Sequence, residues 1–262
     1  MMRTARAGPR SGETLDAFYR GRVRVFQRTR GYRFSVDAPL LADFIRTRRT
    51  DDVLEVGTGC GIISVLLGGR PVRRITAIEI QPGLAALAKR NVALNGLEDR
   101  ITVVRADYRT YRPNRKFDLV FSNPPYIPVA GGYLSRVTEK SIARHELRGA
   151  IGDLMRKTAE WLRPRGRACF VFPERRREDF LAAAEASGLR IVRRRLVQPR
   201  TGEPPNLFLA ELGLAGDGGR AKAGAAIMPP LVLFKRQGGY TAQAEAVFSG
   251  RSVPRPRSPV IF

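Results

Sequence analysis

The chain has 262 residues and a formal net charge of +23, which suits a polyanionic partner. Two cysteines and one histidine are too few for a disulfide framework, a zinc site or a histidine-based triad, so we expect no bound metal and a reducing, cytoplasmic compartment. With no run of about 18 apolar residues and no apolar export signal after the basic N-terminus, we expect no membrane span.

Residues 1–30 form a basic segment, and residues 31–48 predict a turn followed by a helix from about Pro39. From about residue 50, short apolar runs alternate with segments of helical spacing. The runs predicted as strands are 52–57, 75–80, 101–107, 117–122, 167–173, 190–198 and 206–214. The segments predicted as helices between them are 62–69, 83–96, 151–162 and 177–189. This alternation predicts an α/β fold, with a mostly parallel seven-stranded sheet and helices on both faces.

The last part of the chain has a different composition. Residues 213–226 are rich in glycine and alanine and predict a flexible insert. Residues 229–250 then predict a strand, a Gly-Gly turn and a short helix, and residues 251–262 predict a loose tail.

The first predicted strand leads into LEVGTGCG, which carries Gly57, Gly59 and Gly61. Glycines let a backbone turn tightly and approach a ligand, and the N-terminus of the following helix can face a polar group. The spacing G-x-G-x-G differs from the dinucleotide pattern, and no G-K-[ST] of a phosphate-binding loop follows. By itself the turn does not distinguish a small-molecule site from a structural turn.

Acidic residues end the next two predicted strands. Glu79 could accept hydrogen bonds from both ribose hydroxyls of a nucleoside, and Asp107 could accept one from an adenine amino group. Each also has an ordinary role, as a solvated strand end or a turn and helix cap. Because ligands of open parallel sheets lie outside the carboxyl ends of the strands, we expect the glycines and both acids to face one crevice. The ligand indicated is an adenine nucleoside without a triphosphate.

The fourth predicted strand ends in SNPPY, and two prolines force the chain out of the sheet. The side-chain carbonyl of Asn123 and the main-chain carbonyl of Pro124 could each accept a hydrogen bond, and Tyr126 could stack on a planar group. Two acceptors and a stacking ring suit an aromatic or amide –NH2 group. The alternative is a turn with a packed tyrosine.

In this order, LEVGTGCG, AIEI, RAD and SNPPY resemble class I S-adenosylmethionine-dependent methyltransferases, whose fold is Rossmann-like, and the NPPY form resembles their amino-methylating branch. Three further segments resemble the bacterial valine-tRNA adenine-N6 methyltransferase family, in which the target is the adenine just 3′ of the anticodon. They are GYRFSVDAPLLADF, IARHE and PPLVLFKRQGGYTAQA. The resemblance therefore implies S-adenosyl-L-methionine as cofactor and RNA, most directly tRNA, as partner.

The resemblance also implies roles for individual residues. Asn123, Pro124 and Tyr126 would hold the acceptor as the catalytic set. The residues implied to lie around the cofactor are Asp37, Glu55, Gly57, Gly59, Gly61, Glu79, Asp107, Tyr108 and Asn123. We expect one methyltransferase domain over 31–250, with its cofactor half at about 50–125 and its substrate-side elements at 31–48 and 126–250. For His145 we consider two roles, a functional one and a structural one on a helix surface.

Other acceptors stay open at this stage. The same NPPY chemistry would serve a glutamine amide of a protein release factor or guanine N2 in rRNA, and a non-catalytic RNA-binding protein could keep the fold. Residues 1–50 hold twelve arginines and four acids, a local net of +8, and this basic surface favours RNA. We expect arginines within 20–33 and the cluster 193–195 to bind RNA, and we expect a monomer.

Overall fold

The computed structural model describes residues 8–30, 33–124, 150–216 and 225–251. Its strands are β1 (Glu13–Phe18), β2 (Val23–Arg28), β3 (Asp52–Val56), β4 (Arg74–Glu79), β5 (Ile101–Arg105), β6 (Phe117–Ser122), β7 (Leu162–Pro173), β8 (Leu189–Arg200), β9 (Leu207–Leu214) and β10 (Ala226–Phe234). Its helices are α1 (Asp37–Phe44), α2 (Ile62–Gly68), α3 (Pro82–Leu94), α4 (150–161), α5 (Arg177–Ala186) and α6 (Ala242–Phe248). Within the described ranges, no helix has the length and apolar character needed to cross a membrane.

Eight strands form one sheet in the order β10-β8-β9-β7-β6-β3-β4-β5. Every neighbouring pair is parallel except the two that β9 makes with β7 and β8. The other seven strands therefore point the same way, and their carboxyl ends share one edge of the sheet. This confirms the predicted Rossmann-like α/β class with a mostly parallel sheet.

Helices cover both faces of the sheet, as predicted, and each face has its own apolar core. Helices α1, α2, α3 and α6 pack with Leu119 and Phe121 of β6 on one face. Helices α4 and α5 pack with Val120 of the same strand on the other face. Central strands of a parallel sheet are covered on both sides, which explains why all five residues of β3 and five of the six of β6 are buried.

The sheet has eight strands rather than the predicted seven. The additional member is β10, which pairs in parallel with β8 from Ala226↔Arg193 to Phe234↔Arg200. The sequence predicted a strand here, but local periodicity does not say which strand is its neighbour. Residues 213 and 214 belong to β9 and residue 226 to β10, while residues 217–224 of the predicted insert lie outside the described ranges.

The basic segment 1–30 contains a two-stranded antiparallel hairpin, β1–β2, which the sequence did not predict. Phe26 of β2 is fully buried against the core, and its backbone N–H donates to Asn91 Oδ1 of α3 at 2.7 Å. The hairpin is therefore docked on the main domain through its second strand. Short alternating patterns inside an arginine-rich stretch concealed it.

Two of the three arginines in the cluster on β8 are buried, which corrects our expectation that they bind RNA. Arg193 and Arg195 are only 7% and 6% exposed. The Arg193 guanidinium donates to Glu211 Oε2 at 2.6 Å and to the Phe44 carbonyl at 2.8 Å, and it lies 3.9 Å from the centroid of the Phe44 ring. Arg195 donates to the Pro229 carbonyl at 3.1 Å. These two charges are used inside the protein, where a phosphate cannot reach them.

Candidate active site

The turn between β3 and α2 carries the three predicted glycines in left-handed backbone conformations, with φ of +72° at Gly57, +58° at Gly59 and +85° at Gly61. A side chain at Gly61 would meet Ala88 Cβ of α3 at 3.1 Å, whereas one at Gly57 would enter open space. Close packing therefore requires glycine at position 61, whereas Gly57 is a lining residue of the cavity described below. This is the geometry expected of a turn that lies under a ligand.

Glu55 lies beneath this turn and is only 1% exposed. Its Oε2 accepts hydrogen bonds from Thr58 Oγ1 at 2.6 Å and from Ser64 Oγ. Burial raises the pKa of the Glu55 carboxyl to about 7, against the opposing effect of these hydroxyl donors. The carboxyl group braces both ends of the turn, and its direct part in cofactor binding stays a prediction.

Glu79, the last residue of β4, connects that strand to the same glycine turn. Its Oε2 accepts from the Gly59 N–H at 2.9 Å, and its Oε1 accepts from the Gln81 N–H at 2.9 Å. The Gly57 N–H and the Thr58 N–H both donate to the Ile78 carbonyl, at 2.9 and 3.0 Å. The carboxylate is thereby fixed at the rim of the crevice, where each oxygen keeps further acceptor capacity.

Asp107 follows β5 as predicted, but it already has a strong partner. The Arg109 guanidinium donates to its Oδ2 at 2.6 Å, and the Arg109 N–H donates to its Oδ1 at 2.9 Å. The hydrogen bond from the Arg109 side chain holds the pKa of the Asp107 carboxyl below its usual value. Tyr108 beside it donates its hydroxyl to the Ala150 carbonyl at 3.3 Å.

These residues surround a cavity of about 520 Å³ at the carboxyl edge of the sheet. Its lining residues are Gly57, Ile78, Glu79, Ile80, Ala106, Asp107, Tyr108, Arg109, Ala150 and Asp153. The volume lies within the range of about 300–1,000 Å³ typical of small-molecule pockets. The structure thus brings four predicted residues, Gly57, Glu79, Asp107 and Tyr108, around one space.

Sequence reasoning missed six of the lining residues, Ile78, Ile80, Ala106, Arg109, Ala150 and Asp153, and Ile80 is the notable one. It directly follows Glu79 and is 53% exposed, although it is a large apolar side chain. This exposed isoleucine gives the cavity an apolar surface beside the carboxylate of Glu79. The sequence signal that could have revealed it is an apolar residue placed directly after the acidic residue that ends a predicted strand.

Asn123 and Pro124 lie immediately beside the glycine turn. Strands β3 and β6 are parallel neighbours, and Val56 and Ser122 are paired in register. Ser122 Oγ also donates to the Val56 carbonyl at 2.8 Å. Gly57 directly follows Val56 of β3, and Asn123 directly follows Ser122 of β6. The glycine turn and the Asn-Pro segment therefore leave the sheet side by side.

The other predicted residues that the structure describes do not line the cavity: Glu55, Gly59 and Gly61 belong to the glycine turn and its support, and Asn123 and Pro124 to the segment beside it. Asp37 lies in the first turn of α1 and is half-buried, and among the described residues it does not line the cavity. Tyr126 and His145 lie outside the described ranges. In the part of the chain that the structure describes, no group of three or more His, Cys, Asp or Glu side chains is arranged to hold a metal ion.

A mostly parallel sheet, a glycine turn after one strand, acids after the next two and Asn-Pro after the fourth together define the Rossmann-like fold of class I methyltransferases. The chain belongs to the methyltransferase small domain family, whose model matches residues 33–176, more than half of the sequence. It is an enzyme of the methyltransferase class, and its cofactor is S-adenosylmethionine.

Relatives from several bacteria carry the name tRNA1(Val) (adenine(37)-N6)-methyltransferase. The protein from Parabacteroides distasonis is 33% identical over 178 residues, which cover 67% of this chain and 74% of that protein. The protein from Flavobacteriaceae bacterium is 31% identical over 182 residues, which cover 69% and 76%.

Solved structures agree on the fold. A predicted O-methyltransferase, Atu636 from Agrobacterium tumefaciens, superposes with a TM-score of 0.63 at 20% identity and covers 82% of this chain and 97% of its own. M. jannaschii TYW2, crystallised in complex with AdoMet, superposes with a TM-score of 0.52 at 18% identity and covers 78% and 87%. At these identities the likeness concerns the fold alone.

Proposed function

We propose that the chain transfers a methyl group from S-adenosylmethionine to the exocyclic N6 of an adenine in tRNA. The observation that carries the proposal is the pairing of Val56 with Ser122, which sets Asn123 beside the cofactor turn. The names of the relatives support the acceptor and the RNA class. The net charge of +23 supports a polyanionic substrate.

The cavity fits the cofactor in the chemistry of its lining. Glu79 supplies a fixed carboxylate for the ribose hydroxyls, Ile80 an apolar face for the adenine, and Asp107 with the Tyr108 N–H the polar contacts at the base edge. The side of Gly57 that lacks a side chain leaves room for the methionine part. Glu55 would act from below by bracing the turn, and Asp37 would lie towards the amino-acid end.

The catalytic demand on the protein is modest. When bound, S-adenosylmethionine supplies a methyl group that is already electrophilic on a sulfonium. The side-chain oxygen of Asn123 and the carbonyl oxygen of Pro124 would accept the two N–H bonds of the acceptor amine and aim its lone pair along the reaction axis. Holding the reactants within about 3–3.5 Å and in line then accounts for most of the rate enhancement.

Tyr126 completes the proposed acceptor site. Its ring would stack on the adenine after the base has left the RNA stack, and stacking would offset part of the cost of splaying that base out. The finer assignment follows the relatives. We infer that the target is adenosine 37, beside the anticodon of a valine tRNA.

The decisive experiment incubates the purified protein and methyl-labelled cofactor with bulk tRNA, bulk rRNA or a release-factor protein. Hydrolysis to nucleosides or amino acids then identifies the product. We expect label in tRNA as N6-methyladenosine. Label in N2-methylguanosine of rRNA, or in a glutamine of the release factor, would replace this acceptor with one of the two alternatives. Tight RNA binding without any cofactor binding would indicate a non-catalytic protein.

A further inference from the structure

The loop that follows β10, residues 235–239, is tightly fixed. The Lys235 N–H donates to the Gly239 carbonyl at 3.0 Å, and Gly238 and Gly239 adopt φ of +90° and +73°. The rings of Phe234 and Tyr240 stack across its base, with centroids 5.2 Å apart and planes 20° apart. Backbone turn and ring stack together hold the loop in one shape.

This loop displays positive charge. Lys235 and Arg236 are exposed, and within the described residues neither side chain has a hydrogen bond or ion pair. Arg200, at the end of β8, is paired in register with Phe234, and its guanidinium lies 5.8 Å from the centroid of that ring. The acid nearest to Arg200 is Glu203, 3.4 Å away. We call Arg200, Lys235 and Arg236 the C-terminal basic patch.

The C-terminal basic patch lies on the catalytic edge of the sheet. Strands β8 and β10 run in the same direction as β3 and β6, so their carboxyl ends share the edge that carries the cavity and Asn123. Between β6 and β10 there are four steps from strand to strand. At about 4.8 Å per step, the patch lies roughly 19 Å from the end of β6.

We propose that the C-terminal basic patch binds the sugar-phosphate backbone of the substrate RNA, a few nucleotides from the methylated base. The inference rests on the proposed function and names a second contact for the same substrate. A preordered loop with unpaired cations suits phosphate contacts, because few side chains and no backbone must be ordered on binding. The charges of the C-terminal basic patch are exposed on the same edge of the sheet as the acceptor site. The guanidiniums of Arg193 and Arg195, in contrast, are buried.

The test compares two double variants that remove equal charge from opposite edges. The variant K235A/R236A alters the patch. Its control, R48A/R49A, alters two exposed arginines in the loop before β3, at the amino edge, where neither side chain makes a hydrogen bond or ion pair within the described residues. Filter binding of bulk tRNA is measured from 0.05 to about 0.3 M salt, together with methyl transfer to bulk tRNA and calorimetric cofactor affinity.

For K235A/R236A we expect tRNA binding to weaken about tenfold near 0.15 M salt and the slope of log K against log salt to flatten by about 2. Cofactor affinity should be unchanged, and R48A/R49A should keep the wild-type slope. Equal salt slopes for the two variants would contradict RNA binding by the C-terminal basic patch. The proposed function would still stand if the wild type methylated tRNA. Failure of the wild type to methylate tRNA would instead overturn the proposed function.

A second and independent observation concerns Asn91 of α3, which is fully buried. Its Oδ1 accepts from the Phe26 N–H at 2.7 Å, and its Nδ2 donates to the Phe26 carbonyl at 3.0 Å and to the Cys60 carbonyl at 2.8 Å. One amide therefore joins β2 of the N-terminal hairpin to the glycine turn. Nearby Asn95 makes the same pair of bonds to Arg24, at 3.0 and 2.7 Å, but bonds to Asn91 instead of the turn.

We infer that Asn91 is a positioning residue for the cofactor turn and that the hairpin acts on cofactor binding through it. Removing the Asn91 amide takes away the donor that the buried Cys60 carbonyl bonds to. Because an unsatisfied buried carbonyl is costly, the turn should shift towards another conformation. Asn95 provides the matched control, because its removal deletes the same pair of bonds to the hairpin backbone but no bond to the turn.

The test measures melting temperature and cofactor dissociation constant for N91A and N95A. We expect similar losses of melting temperature, with cofactor affinity about tenfold weaker in N91A and unchanged in N95A. Equal affinities in the two variants would contradict the inference. Should N91A not fold, hydrogen exchange of the wild type decides: cofactor should protect the Phe26 amide more than the Arg24 amide, and equal protection would overturn the coupling.

Discussion

At the scale of single residues, Asn123 carries the proposed chemistry. Asn123→Ala removes a side-chain acceptor for the substrate amine, and we expect methyl transfer to fall at least about a hundredfold. Because the cavity is lined by other residues, the cofactor dissociation constant should change little. Asn123→Asp keeps an acceptor oxygen and should retain part of the rate. Single-turnover kinetics and calorimetry measure both quantities, and a parallel loss of cofactor binding would contradict this role.

Glu55 should make stability depend on pH. Its pKa is about 7 in the folded protein and near 4.5 when exposed, so the folded state binds the proton more tightly. The wild type should therefore lose up to about 3 kcal/mol of unfolding free energy as pH rises from about 4.5 to about 8, with no further loss above that. Glu55→Gln imitates the protonated carboxyl and should abolish this loss.

Urea unfolding at pH 4.5 and pH 8 measures the effect of Glu55. The exposed Glu178→Gln on α5 is the control and should keep the wild-type pH dependence. If Glu55→Gln behaved like Glu178→Gln, the buried carboxyl would have to be ionised in the folded protein throughout this range.

At the scale of elements, two glycines of the turn between β3 and α2 should have different roles, one in cofactor binding and the other in packing. Gly61→Ala would strain a left-handed residue and press on Ala88, so we expect it to destabilise the fold by about 2–3 kcal/mol. Gly57→Ala meets no atom and costs only about 1 kcal/mol in backbone strain, but it changes a lining residue of the cavity. Denaturant unfolding and calorimetry should show the larger stability loss for Gly61→Ala and the larger affinity loss for Gly57→Ala.

The buried ion pair between β8 and β9 should govern stability rather than RNA binding. Arg193→Ala leaves the Glu211 carboxylate buried without its guanidinium partner, and we expect a loss of about 3–5 kcal/mol. The exposed Arg49→Ala should cost almost nothing. Urea unfolding measures the first effect. A folded, fully stable Arg193→Ala with a flattened salt slope for tRNA would restore the discarded interpretation.

At the scale of the whole molecule, charge and surface pattern favour a monomer. The net charge of +23 makes two copies repel each other. Few large apolar side chains are exposed among the described residues: they are Leu15, Ile80, Ile227 and Tyr240. Light scattering at 0.15 M salt should give a mass near 29.1 kDa, and a concentration-independent mass of twice that value would contradict the expectation.

The amino-acid sequence by itself determined the order and type of nearly all elements from residue 37 onward, because buried parallel strands are apolar runs and helices have apolar periodicity. It also determined the chemistry at the strand ends, since Gly57, Glu79, Asp107 and Asn123 each follow such a run. Parallel strands place those ends at one edge, so a shared crevice followed without knowledge of strand order.

Only the tertiary structure decided which segments are neighbours. It placed β6 next to β3, so that Asn123 emerges beside Gly57, and β10 next to β8, so that Lys235 and Arg236 reach the catalytic edge. It also buried Arg193 against Glu211. These outcomes depend on pairing between residues far apart in the chain, and local periodicity and composition contain no information on which distant partner a strand or a charge will meet.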